Sequence, residues 1–574
     1  MAKFFLGVLV GVIVAVLGSF IIVLAIGRLF ASKQPTVEAN SVLVITLDGE
    51  VPEAAPVDFP LPFFEGQSAP TVRDIWTSLR AAAKDNRIKA VVLQPRGVMA
   101  GWGKLEELRQ ELADFKKSGK PVYAFLQRPG SRAYYLASVA DKIYLSPDDM
   151  LEVKGFGIEE MYFKNTLDKL GVTMQVDHIG RYKDFGDMFT RSNMSPETRE
   201  VLGQVLDQIY GDFCTVAGQG RHKSADDLRA LVDRGPFVAT QAKATGLVDE
   251  LGYEDQVYSD LKKRTGMGDL KKLSIKTYFK AAPGRGDRIA MLVAEGDIIT
   301  GDPDNSLNNG GNVSSAKFSQ TIRQVREDSS VKGVILRVNS PGGDAVASDE
   351  ILHELKLLSA VKPLVVSMSD VAASGGYFIS LTGDSMLSYP NTITGSIGVL
   401  YVRPNLHGLF DKLGIQTDSL TRGKLGDIDF PDVPLSDAAQ QKLHESIQTT
   451  YQSFVTKVAS ARKKTYDQID SVAQGRVWMG TQARQNGLVD QLGGLDQAIA
   501  IVRQRARLPL TGETNLVMFP PRRTLFEVLS NASTDMTAEA IAEARLRKAV
   551  PALPSSALLK GGLLRLMPYQ LTVQ

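Results

Sequence analysis

The chain has 574 residues, 44% hydrophobic and 23% charged, a balance that excludes a disordered polymer and leaves room for two or three domains. Its 66 Lys and Arg against 64 Asp and Glu give a net charge of +2, so no overall basic field argues for a nucleic-acid partner. One cysteine, Cys214, and five scattered histidines (His178, His222, His353, His407, His444) argue against an intrachain disulfide, a cysteine-built metal site and the short ligand spacings of a metalloenzyme.

The first feature along the chain is Phe4 to Ile26, 23 residues without a charge. As a helix it is about 35 Å long, enough for a hydrocarbon core of about 30 Å. It runs into Arg28-Leu29-Phe30 and not into a small-residue cleavage site. An uncleaved membrane anchor is expected over residues 1–30. Lys3 on one side and Arg28 and Lys33 on the other nearly balance, so charge counting does not orient it.

Everything downstream is organised by repetition. Asp85 to Leu93 resembles Asp328 to Leu336 at an offset of 243, Tyr134-Tyr135-Leu136 faces Tyr377-Phe378-Ile379, and Asp168-Lys169-Leu170-Gly171 returns as Asp411-Lys412-Leu413-Gly414. Thr240-Gln241-Ala242 returns as Thr481-Gln482-Ala483 at an offset of 241. The expected division is a first repeat over 45–265, a linker over 266–286, a second repeat over 287–508 and a tail over 509–574. Short apolar runs alternating with helical patterns predict α/β units and a largely parallel sheet in each repeat.

In the first repeat, Gly130-Ser131-Arg132-Ala133 sits opposite the second repeat's serine motif, with Met99-Ala100 in place of a double glycine, so Ser131 reads as scaffold. Ser195-Pro196 opens a helix as N-cap and first residue. Leu202, Val205, Leu206, Ile209, Phe213 and Val216 follow at helical spacing, with Cys214 among them as a packing residue.

In the second repeat, strands are expected at Ile289–Ala294, Gly333–Val338 and Leu364–Met368. Ser340-Pro341-Gly342-Gly343 follows the second of these and leaves backbone amides free to bind an anion. Asp370 to Tyr377 follows the third and places Ser374 among small residues at a helix start, where positive potential favours charge on a substrate oxygen. Together they resemble an oxyanion hole and a nucleophile. Ser374 needs a base, either a histidine or an uncharged lysine. The lysine candidates are Lys183, in Gly180-Arg181-Tyr182-Lys183-Asp184, and Lys424, in Thr421-Arg422-Gly423-Lys424-Leu425. Ser436-Asp437 opens the counterpart of the Ser195 helix, and in the tail Thr537 to Arg547 and Ala557 to Lys560 read as helical, packing on a neighbour or lying at the membrane.

The Tyr182-Lys183-Asp184 setting followed by Met194-Ser195-Pro196, with Ser340-Pro341-Gly342-Gly343, Ala372-Ala373-Ser374-Gly375-Gly376-Tyr377 and Thr394-Gly395-Ser396-Ile397-Gly398, resembles the duplicated signal peptide peptidases, the protease IV family. That resemblance implies an α/β fold of two tandem Clp-protease/crotonase-like repeats behind an N-terminal transmembrane helix. It further implies a bacterial cytoplasmic-membrane location with a periplasmic body, contact with membrane lipid, a homotetramer, apolar peptide substrates such as cleaved signal peptides, and no cofactor. By the same resemblance Ser374 is the nucleophile, Lys183 the general base and acid, Ser396 the hydroxyl that orients the lysine, and Gly375 with Gly342 or Gly343 the oxyanion donors. Lys424 stays open as an alternative base, because Ser131 to Lys183 spans 52 positions and Ser374 to Lys424 spans 50. Tyr182 and Asp184 keep the family context that Gly423 and Leu425 lack. A crotonase-like acyl-CoA enzyme and a non-catalytic membrane scaffold are the rival readings.

Overall fold

Runs of Val, Ile and Leu with little polar interruption form strands buried on both faces, as parallel sheets require. The computed structural model describes residues 35–54, 69–281, 284–301, 312–382, 385–521 and 563–567, with Gly7, Gly11, Gly18 and Val573. In the first repeat, β1 (Ser41–Gly49), β2 (Ile88–Val98), β3 (Val122–Leu126) and β4 (Lys142–Leu145) pair in parallel. Helices α1 (Val72–Lys84) and α2 (Trp102–Lys116) connect them. Thr71 caps α1 by accepting from Asp74 N, while the Asp74 carboxylate answers the Thr71 amide. The long helix α3 (Pro196–Gly220) has Ser195 as N-cap and Pro196 in its first turn, and Cys214 is buried within it.

The second repeat builds the same layout from β6 (Asp287–Glu295), β7 (Gly333–Ser340) and β9 (Leu364–Ala373), which pair in parallel, with α4 (Ala345–Ser359) crossing between β7 and β9. Ser436 caps its long helix, α6 (Asp437–Arg462). The expected strand at Leu364–Met368 continues to Ala373, and its pairing with β7 shifts register between Val338 and Ser340. Asp370 within that extension accepts from the amides of Gly101 (3.1 Å) and Lys104 (2.7 Å) at the start of α2, so the first repeat props up the lengthened strand.

A third, mixed sheet belongs to neither repeat alone. In it β5 (Thr173–Ile179) of the first repeat lies antiparallel to β10 (Val399–Asn405) of the second, from Thr173 opposite Asn405 to Ile179 opposite Val399. On the other side of β10 stand β12 (Leu563–Leu566) and then β8 (Gly342–Asp344).

Deeper in the interface a buried charge cluster joins the repeats. Arg337 donates from Nε to Glu53 Oε2 (3.0 Å) and from Nη2 to Glu53 Oε1 (2.9 Å), and also bonds Glu107 and the hydroxyls of Ser367 (3.0 Å) and Ser369 (3.2 Å). All three charged side chains are fully enclosed. Burial pushes the Glu53 carboxyl up, but Arg337 and Lys104 outweigh it and hold it below the ordinary range, whereas burial wins at Glu107 and raises it.

Two expectations change. The linker over 266–286 is not a plain connector: Lys271–Ser274 adds a parallel edge strand to β1, and Ile275–Ala281 is helical. Its signal is weak because only Leu273 of that strand is buried. The second sheet runs past residue 508, where β11 (Thr514–Phe519) pairs with β6. In the tail, β12 is a strand, while Thr537 to Arg547 and Ala557 to Lys560 lie outside the described residues. The anchor expected at Phe4 to Ile26 also lies outside them, apart from three isolated glycines, and among the described residues no helix is long and apolar enough to cross a membrane.

Candidate active site

Ser374 stands where β9 ends and α5 (Gly375–Ile379) begins, with φ 54° and ψ −112°. A non-glycine residue in that region is strained, and the strain is typical of a nucleophile held at a sharp strand-to-helix turn. Ser374 N donates to Gly395 O at 2.8 Å and Phe378 N to Ser374 O at 2.8 Å, which fixes the turn from both sides. Small residues are needed here because a Cβ on Gly376 would come within 2.5 Å of Ser340 O.

Lys183 reaches this serine from the other repeat. Its Nζ lies 2.8 Å from Ser374 Oγ, 2.9 Å from Ser396 Oγ and 3.0 Å from Ser396 O. A neutral amine has two hydrogens and one lone pair, which this set satisfies if Nζ donates twice to Ser396 and accepts the Ser374 hydroxyl proton. All three side chains are fully buried. Burial pushes the Lys183 amine well below the ordinary lysine range; Asp184 opposes the shift and Arg565 adds to it. Asp184 is itself engaged by Thr198 at the start of α3, where Ser195 Oγ lies 2.7 Å from Thr198 Oγ1.

The lysine segment is pinned to the second repeat by a backbone bond from Tyr182 N to Gln474 O (2.8 Å). The next residue, Gly475, is held within that repeat by its amide donating to Ile397 O (2.8 Å). Gly475 has φ +74°, and a Cβ there would stand 2.6 Å from Lys183 Cβ and 2.6 Å from its amide nitrogen. Nothing in the sequence around Gly475 marks it as part of a site, since its partner is almost 300 positions away. Gly475→Ala is expected to displace the amine and lower kcat by about 10²-fold with a smaller change in KM; steady-state kinetics on a peptide ester separate the two.

The glycine loop comes to the same place. Gly342 (φ +104°) and Gly343 (φ +151°) have the positive φ that favours glycine, and a Cβ on Gly342 would lie 2.6 Å from Gly375 N. The loop thus packs on the residue that follows Ser374, while Gly342 N donates to Ser340 Oγ at 3.2 Å and a Cβ on Gly343 would face Ile298 O at 2.0 Å.

The structure brings together Ser374, Lys183 and Ser396, with Gly375 next in the chain to the serine and Gly342 packed on Gly375, whereas Gly343 faces Ile298. Lys424 is exposed in a turn, apart from the enclosed hydroxyl of Ser374. The five histidines are all exposed as well, so none meets that serine. In the first repeat Ser131 begins a short helix without the positive φ of Ser374, and Met99 is exposed. The residue that sequence reasoning missed most completely is Arg565, on β12 beside the glycine loop.

The sequence pattern of Peptidase family S49 matches this chain twice, at residues 114–268 and 356–509. The chloroplastic serine protease SPPA of Arabidopsis thaliana is 33% identical over 527 residues, covering 90% of this chain and 77% of that protein. Protease 4 of Salmonella typhi is 34% identical over 486 residues (82% and 77%), and Protease 4 of Haemophilus influenzae 33% identical over 446 (74% and 71%). Among solved structures, ClpP1 from Listeria monocytogenes aligns with 36% of this chain and 91% of its own at 16% identity, with a TM-score of 0.21 that carries no argument. The chain belongs to peptidase family S49, as two tandem domains of that family, and is a serine protease.

Proposed function

We propose that the protein is a membrane-anchored endopeptidase that hydrolyses apolar peptides, signal-peptide remnants among them, with Ser374 as nucleophile and Lys183 as its base. The observation that carries the reading is the 2.8 Å approach of a fully buried lysine amine to the hydroxyl of a strained serine. Neutral Lys183 takes the Ser374 proton as Oγ attacks the scissile carbonyl. The amides of Gly375 and of Gly342 or Gly343 receive the oxyanion, and Lys183 returns the proton to the leaving amine, then draws one from the water that opens the acyl-enzyme. Ser396 holds the amine with its lone pair toward Ser374.

The Clp-protease-like arrangement of the repeats, a homotetramer, membrane lipid contact and a periplasmic body on a bacterial cytoplasmic membrane belong to the same proposal. The apolar run Phe4 to Ile26 supports the anchor. The test is covalent labelling of the whole protein by a serine-directed phosphonate. Mass spectrometry is expected to place the adduct on Ser374 and to find none in Ser374→Ala. A crotonase-like enzyme or an inert scaffold would leave Ser374 unlabelled, and that result would refute the proposal.

A further inference from the structure

Arg476 stands where the two halves of the site meet. It lies just before the strand Val477–Met479, which runs antiparallel to Ile393–Gly395 with Val477 opposite Gly395. That neighbouring strand leads into Ser396, and Ser396 N donates to Arg476 O at 2.7 Å. On the other side of Arg476, Gly475 packs on the Lys183 backbone and Cβ, and Gln474 O accepts the Tyr182 amide. The main chain around one residue therefore touches the lysine segment and also Ser396, whose hydroxyl and carbonyl bond the lysine amine.

Its side chain ties the same two repeats together. The guanidinium carbon lies 4.6 Å from the ring centroid of Tyr182, next to Lys183 in the first repeat, and 4.6 Å from that of Trp478 in the second. Nη1 is 2.8 Å from Glu200 Oε1 and Nη2 donates to Gln204 Oε1 at 2.9 Å. Glu200 and Gln204 are four residues apart on α3, so the helix presents them side by side. Tyr182 OH donates to Glu200 Oε2 at 3.3 Å, which closes a ring of contacts through Tyr182, Arg476 and Glu200. The Arg476 side chain is 11% exposed, so these contacts are largely shielded from water. A planar fork that stacks on two rings while bonding through its edge is available to arginine and not to lysine.

We propose that Arg476 is a positioning residue for the base: held by Tyr182, Trp478, Glu200 and Gln204, it registers the lysine segment on Ser396 and so aims the Lys183 amine at Ser374. The proposal rests on the Ser374 and Lys183 reading. Arg476 itself neither gives nor takes a proton in the reaction. Without its side chain the lysine segment loses the tie that sets its distance from Ser396, and the amine lies farther from Ser374 Oγ and meets water. Fewer bound substrates then find an aligned pair, so kcat falls while KM stays. Water also restores part of the solvation that burial removes, which moves the amine back toward the ordinary lysine range. Because the reaction uses the neutral amine, the acid limb of the pH profile moves to higher pH. Asp184 and Arg565, the charges that act on that amine, are untouched by the change, so the shift reports its hydration.

The test measures peptide-ester turnover by the full chain across pH, together with the rate at which a serine-directed phosphonate labels Ser374. Arg476→Ala is expected to lower kcat about 10²-fold with KM changed less than about threefold, and to move the acid limb up by about one pH unit. Glu200→Ala, which leaves both rings and every backbone bond in place, is expected to lower kcat about threefold with the limb shifted in the same direction. In a Lys183→Ala background, Arg476→Ala is expected to change the labelling rate less than about twofold, because a residue that acts through the lysine then has nothing to position. Wild-type kcat and acid limb in Arg476→Ala would overturn the inference alone; should that variant not fold, the same result in Glu200→Ala would do so. Slowing of the Lys183→Ala chain by Arg476→Ala as large as that of the wild type would overturn it too. Labelling and turnover that survive Lys183→Ala unchanged would overturn the Lys183 reading with it.

Discussion

Lys183→Ala lowers kcat/KM on a peptide ester by about 10²- to 10⁴-fold, the range that general-base removal spans, while Lys424→Ala leaves it near wild type. The contrast follows from placement, since the Lys183 amine is enclosed against Ser374 Oγ and the Lys424 amine is in solvent. Full activity in Lys183→Ala would refute the assignment. The same burial sets the pH profile. In the proposed mechanism catalysis needs the neutral amine, so kcat/KM is expected to be retained as pH falls below the ordinary lysine range of about 10.4 and to drop only through the depressed Lys183 pKa. Stability carries the matching signature. Between the depressed pKa and about 10.4 the unfolded lysine binds a proton that the folded one does not, so wild-type stability rises with pH across that window. Lys183→Met removes the slope, and its denaturation midpoint exceeds that of the wild type most at the acid end.

Arg337→Met is expected to be the most damaging change outside the site, with a loss of about 3–5 kcal/mol in denaturant unfolding. It leaves Glu53 and Glu107 enclosed and without their shared cation. Both carboxyls then titrate above their unfolded values, so the loss is greatest at neutral pH and shrinks as pH falls toward their unfolded pKa of about 4.3. Adding Glu107→Gln recovers part of the stability. A variant as stable as the wild type at neutral pH would show that the cluster does not tie the repeats together.

Much of this layout is legible in the chain itself, for reasons that differ by element. Strands such as Gly333–Ser340 are apolar on both faces and cannot be hidden, and Ser195 and Ser436 announce their helices because an N-cap acts locally. The motif around Ser374 is equally plain, since a crowded strand-to-helix turn admits only small residues. The third sheet is not legible: β5 is half-buried with mixed polarity, β8 has three residues, and their partners lie in distant parts of the chain. The choice between Lys183 and Lys424 is hidden for the same reason. Both lie in polar, turn-rich stretches, and only the docking of β5 on β10 buries one of them. Gly475 and Arg565 matter through what they touch, which no local pattern encodes.

The pairing of β5 with β10 also bears on the order in which the protein becomes dangerous to its surroundings. Synthesis completes the lysine segment well before the serine, and in the proposed mechanism neither half on its own holds both the hydroxyl and its base. On that mechanism a nascent or half-folded chain is chemically harmless. Proteolytic power would then arrive only when the two halves close on each other, which would make correct assembly of the whole body the arming step of the enzyme.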